Sequence, residues 1–182
     1  TWSGTESWGM INGRNNYYYF RACDSVVDPD GTPNCSAETT NPIYNIRYDT
    51  GVPTVTITRS DYNTFSWTAS DNVGVTGYAI TTSNSTPSSW TTIGTLTSGT
   101  YDISAAGTYY VWAKDGAGNI STSASIKAYT ISRSQGTGST LTTRYDSTSS
   151  STGTVFTSNT VMLSGTSVWA SATANSGYNT PT

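Results

Sequence analysis

The residues of this chain best able to do chemistry are its carboxylates, and the first question is what eleven Asp and Glu could do without a histidine. The usual base of a serine or cysteine nucleophile is missing. A glycosidase-type pair would need two carboxyl groups held about 5–9.5 Å apart. Most of the Asp residues lie in turn sequences, where the side chain caps its own backbone. The sequence therefore reads as a non-enzyme. Metal binding is the better use of these groups. Asp24, Asp28, Asp30 and Asn34 put four oxygen ligands around Asp28-Pro29-Asp30-Gly31, a set that a hard cation such as calcium accepts. The competing reading is a polar hairpin turn in which Pro29 and Gly31 supply geometry.

Cys23 and Cys35 are the other chemically distinctive pair. They flank a turn inside a segment that occurs twice: Tyr18-Tyr19-Phe20-Arg21-Ala22-Cys23-Asp24 returns as Tyr109-Tyr110-Val111-Trp112-Ala113-Lys114-Asp115. Both copies read as a strand, a turn and a return strand, so the two cysteines are expected to face one another across a hairpin. A disulfide there suits an oxidising compartment and contributes up to roughly 3 kcal/mol in the chain-entropy model. Zinc is not expected, because no His and no further Cys could complete four ligands.

The elements that must position these residues are strands. Charged residues make up 10% of the chain, and Ser and Thr together fill roughly a third of it. Thr suits a pleated, half-exposed surface, while Ser, Gly and Asn supply turns. Val55-Thr56-Ile57 alternates after Pro53, and Phe65, Trp67 and Ala69 fall on one face of the next run. Further strands are expected at Gly77–Thr81, Trp90–Ile93, Tyr101–Ile103, Tyr109–Lys114 and Ile120–Tyr129. About seven short strands at this spacing predict a two-sheet sandwich, with Phe65, Trp67, Tyr78, Ile80 and Val111 in its core. The net charge of −3 with eight basic residues lacks the footprint nucleic acid requires, and no apolar run is long enough to span a membrane.

The runs Asp71-Asn72-Val73-Gly74-Val75-Thr76-Gly77-Tyr78 and Gly107 to Ser121, with Asp115-Gly116-Ala117-Gly118-Asn119 as its turn, resemble a bacterial immunoglobulin-like domain. Such domains are tandem modules of surface and secreted bacterial proteins. The resemblance implies an all-β, immunoglobulin-like β-sandwich over residues 46–133. Residues 1–45 are expected to be the C-terminal half of a like module, and residues 134–182 a flexible joint followed by the opening strands of a further β module. Terminal modules read this way are incomplete, and would expose apolar rows such as Tyr18-Phe20-Ala22 and Val161–Leu163 together with open sheet edges. The linker Tyr48 to Val55 resembles the short acidic joint between such modules, which makes Asp49 a second calcium candidate.

The leading functional expectation is an extracellular structural or adhesive protein: a stalk, an adhesin shaft, or a filament or surface-layer subunit. Its partner would be a second copy joined head to tail, or a cell-surface glycan or protein. The alternative is a glycan-binding accessory module of a secreted enzyme or phage fibre. It rests on Tyr110 and Trp112, which face outward if Tyr109, Val111 and Ala113 face the core, unless a loop or neighbouring strand covers them.

Overall fold

The structure, a computed structural model, describes residues 14–18, 22–35, 37, 44–94, 97–146 and 152–178. It is all-β and antiparallel, with no helix among the described residues. Four strands come first: β1 (Arg14–Tyr18), β2 (Cys23–Val27), β3 (Pro33–Cys35) and β4 (Tyr44–Tyr48). β1 pairs with β4, and β2 pairs with β3 in a hairpin of its own. Cys23 lies opposite Cys35 in that hairpin, and the two form the expected disulfide with 3.9 Å between their Cα atoms.

The centre of the molecule is built by β5 (Thr54–Arg59), β6 (Thr64–Ser70), β7 (Val75–Thr81), β8 (Thr91–Thr92), β9 (Ser98–Asp102), β10 (Gly107–Asp115) and β11 (Ala124–Ile131). One sheet has the order β5-β6-β9. Alternation of side chains decides which face is buried. Phe65, Trp67 and Ala69 of β6 point inward together, as their spacing predicts, while Thr56 and Thr68 share a hydrogen bond of 2.6 Å on the outer face. The second sheet supplies Val75, Tyr109, Val111 and Ala113 to the same core, and Tyr78 and Ile80 pack partly buried against it. Trp67 stacks on Tyr78 with ring centroids 4.5 Å apart. The two sheets thus close on one another in a sandwich-like arrangement.

Four strands follow: β12 (Ser139–Tyr145), β13 (Thr154–Val155), β14 (Thr160–Leu163) and β15 (Val168–Ala174). β13, β12 and β15 form a three-stranded sheet, but β14 leaves it and pairs with β11, giving a five-stranded order β14-β11-β10-β7-β8. The row Val161–Leu163, expected to lie open, is therefore covered: Met162 and Leu163 are buried, and Leu163 belongs to the central core. The reason is pairing. Without β14 the edge of β11 would present a row of unsatisfied backbone groups. The expected flexible joint after residue 133 is also held. Arg133 donates to Thr157 O, Gln135 Oε1 and Leu141 O, and Gln135 Nε2 donates to Ser139 O at 2.6 Å. The other expected open row, Tyr18, Phe20 and Ala22, lies largely outside the described residues.

Candidate metal centre

Three loops meet at one end of the sandwich. The joint after β4 enters β5 at Thr54, which pairs with Ser70 at the end of β6. The turn after β6 begins at Asp71. β10 finishes at Asp115, which pairs with Val75 at the start of β7. Strand direction and register thus bring Asp49, Asp71 and Asp115 together, each offering a carboxylate oxygen within 4.8 Å of the others. Two oxygens at opposite poles of one calcium ion lie roughly 4.6–5.2 Å apart, twice the Ca–O distance. The separation fits a shared hard cation.

Each carboxylate is aimed by its own loop. Asp115 is 1% exposed. Its Oδ1 accepts from the backbone N–H groups of Ala117, Gly118 and Asn119 at 2.8–2.9 Å, and its Oδ2 accepts from Asn119 Nδ2 at 2.8 Å. Three donors fill Oδ1, whereas Oδ2 keeps accepting capacity. Asp71 Oδ2 accepts from Val73 N and Gly74 N at 2.8 and 3.0 Å. Asp49 Oδ1 accepts from Gly51 N at 2.9 Å and Asn72 Nδ2 at 3.4 Å, while Asn119 Nδ2 also donates to Asp49 O, tying the joint to the β10–β11 turn.

One atom in this cluster lacks a partner. Asp49 Oδ2 is out of contact with solvent and takes no hydrogen bond. A buried polar oxygen without a partner is costly, and a charged one more so. Among the described residues, neither Asp49 nor Asp115 has a cationic partner. A bound cation would satisfy the oxygen and offset the mutual repulsion of three carboxylates. An all-oxygen donor set selects a hard ion, calcium or magnesium, over zinc or copper.

The sequence-derived candidates fall as follows. Asp49 is in this cluster. Asp71 and Asp115, read from sequence only as turn residues, are the partners that reading missed. They do cap their turns, Asp115 through backbone bonds to Oδ1 and Asp71 through backbone bonds to Oδ2. In the other candidate set, Asp30 Oδ1 is taken up by Thr32 N and Thr32 Oγ1 at 3.1 and 2.7 Å. These bonds, the hydroxyl's first, hold the Asp30 carboxyl below its ordinary pKa. Asp28 N donates to Thr32 O and Asp28 O accepts from Gly31 N, both at 2.8 Å, so this segment is a hydrogen-bonded turn. The side chains of Asp24 and Asn34 lie outside the described residues.

Of the aromatic pair, Trp112 needs correction. Trp112 is 7% exposed and not a surface contact; its Nε1 donates to Thr81 Oγ1 at 3.3 Å. β10 is the middle strand of its sheet, and both of its faces are buried around Val111, Trp112 and Ala113. Tyr110 beside it is half-buried. No match was found in comparisons with protein-family models, characterised proteins or solved structures. Among the described residues no helix is long and apolar enough to cross a membrane.

Proposed function

We propose that this chain is part of an extracellular structural array of immunoglobulin-like modules, in which a calcium ion held by Asp49, Asp71 and Asp115 stiffens the joint leading into the central sandwich. The role is mechanical or assembling rather than catalytic, as a stalk, adhesin shaft or filament subunit. Its partners are a second copy of the chain or a cell-surface molecule. The observation that carries the reading is the buried, unpartnered Oδ2 of Asp49 inside a three-carboxylate cluster.

Strand order supports the module type. With β5, β6, β7, β8, β9, β10 and β11 read as strands A, B, C, C′, E, F and G, the sheets become A-B-E and G-F-C-C′ with β14 added beside G, an immunoglobulin-type order extended by one strand. Tyr109, near the start of the F-like strand, donates its hydroxyl to Ala105 O at 2.8 Å, the tyrosine-corner contact of such domains. The Cys23–Cys35 disulfide supports an oxidising location.

Calcium titration of chelator-treated protein tests the reading, with calorimetry and thermal unfolding as readouts. A ligand that binds only the folded state stabilises it by roughly 2.7 kcal/mol at about 100 times Kd. Saturable binding that Asp115→Asn weakens is expected. Absence of saturable binding at millimolar calcium would overturn the assignment.

A further inference from the structure

A second site lies along the later half of β7, away from the Asp71 end of that strand. A cavity of about 470 Å³ opens between Ala79–Thr81 and the loop that leads into β8, with the Trp90 indole in its lining. Small-molecule sites commonly occupy about 300–1,000 Å³. Its walls carry hydroxyl groups from Thr81, Ser83, Ser85, Thr86 and Ser88, and none of its lining residues is charged.

This lining selects among ligand classes. Hydroxyls both donate and accept, so they match a polyol, whose own groups do the same. None of the lining residues is charged, and the nearest ammonium, Lys114 Nζ, is held over the Trp90 ring rather than on the cavity wall, so phosphates, carboxylates and cations would lose hydration without a counter-charge among the lining residues. An indole adds an apolar face on which the C–H side of a pyranose can lie. Residues Ala79, Ile80 and Pro87 extend the apolar part.

The cavity is also set before any ligand arrives. Thr81 Oγ1 donates to Ser83 O at 2.7 Å while accepting from Trp112 Nε1. Ser83 Oγ donates to Ser85 Oγ at 3.2 Å and accepts from Ser85 N at 3.3 Å. Ser123 Oγ donates to Asn84 Oδ1 at 2.6 Å, fastening the loop to the segment before β11. Lys114 Nζ sits 5.2 Å from the Trp90 ring centroid and fixes the indole through a cation–π contact. A loop held at this many points loses little conformational freedom on binding.

The geometry points to a binding site for an uncharged pyranose sugar in this cavity, stacked on the face of Trp90 that Lys114 does not take and hydrogen-bonded to the surrounding hydroxyls. The inference is independent of the calcium reading, since none of the three aspartates lines the cavity.

The test is a titration of the full chain, in calcium and in chelator, with glucose, galactose and mannose, their oligosaccharides, and glucuronic acid as a charged control. Amide shifts and Trp fluorescence are followed. Saturable shifts confined to about residues 79–91 with at least one neutral sugar, and none with glucuronic acid, are expected; monosaccharides should bind in the millimolar range. Tighter binding of an oligosaccharide identifies a polysaccharide as the source, and equal binding a single sugar unit. Trp90→Ala should weaken binding roughly tenfold or more, whereas Trp90→Tyr, which keeps a ring, should retain most of it. Ser88→Leu, which removes a wall hydroxyl without touching the indole, should also weaken it. No saturable response to any neutral sugar, or an affinity unchanged in folded Trp90→Ala, overturns the inference.

Discussion

At the scale of single residues, the molecule depends on a few close fits. Trp67 is 3% exposed and lies against Gly99 of β9, where an added Cβ would meet the indole at 3.0 Å. At that position any larger residue would need the indole to give by a few tenths of an ångström. Trp67→Ala should cost about 3–5 kcal/mol in chemical denaturation, the range for deleting a large buried aromatic. Tyr109→Phe, which loses the bond to Ala105 O, should cost about 1 kcal/mol. The inward set Phe65, Trp67 and Ala69 was legible because a strand with one buried face alternates with period two. Trp112 was not legible from that rule. A strand covered on both faces has no solvent side for the alternation to mark. The aspartate cluster was hidden for a different reason. Asp49, Asp71 and Asp115 are distant in sequence, and only sheet topology sets them at one end of the sandwich. Gly51 gives the cluster its own test. A Cβ there would press into the Asn72 amide and approach Asp49 Oδ1 at 3.2 Å. Gly51→Ala should therefore weaken calcium binding while leaving the Trp67 environment unchanged by near-ultraviolet circular dichroism.

At the scale of elements, the decisive piece is β14. It crosses from the C-terminal strands to β11, so the C-terminal segment helps complete the central core. Sequence patterning did identify Val161–Leu163 as an apolar row needing cover, but pattern alone does not name the strand that provides it. Leu163→Ala should cost about 2–5 kcal/mol, and the loss should appear in the transition reported by the central tryptophans. The same junction holds Tyr62 against Tyr145, with ring centroids 4.2 Å apart, and Arg59 to Asp146 at 3.2 Å. The exposed ion pair adds little by itself. Tyr62 carries a pH signature: burial first, then the neighbouring Tyr145, raises its pKa above the ordinary 10.0. A folded-state pKa raised in this way contributes stability that is complete below about pH 10 and is lost as pH climbs through the folded value. Unfolding temperature should fall in that alkaline window, and a phenol titration at 295 nm should contain a late contribution from Tyr62. The late phase should vanish in Tyr62→Phe.

At the scale of the whole molecule, two clamps act on different parts of the chain. The disulfide closes a loop of sequence separation 12 in the β2–β3 hairpin, which among the described residues shares no strand pairing with the sandwich. The aspartate cluster instead joins the segment after β4 to two turns of the sandwich, through Asn72 and Asn119 as well as through the carboxylates. Constraints without shared partners act additively, usually within about 0.5 kcal/mol. Reduction should therefore release the hairpin, worth up to roughly 3 kcal/mol, without moving the transition reported by Trp67. Chelation should lower that transition and leave the disulfide intact. Thermal unfolding across the four combinations of reductant and chelator measures this directly. Equal effects of reduction and chelation on the Trp67 transition would mean that the hairpin packs into the sandwich and that the two clamps form one unit. Additive, separable effects are what the proposed calcium-stiffened joint requires, because an ion at the aspartate cluster could then set the rigidity of the joint without loosening the covalent hairpin before it.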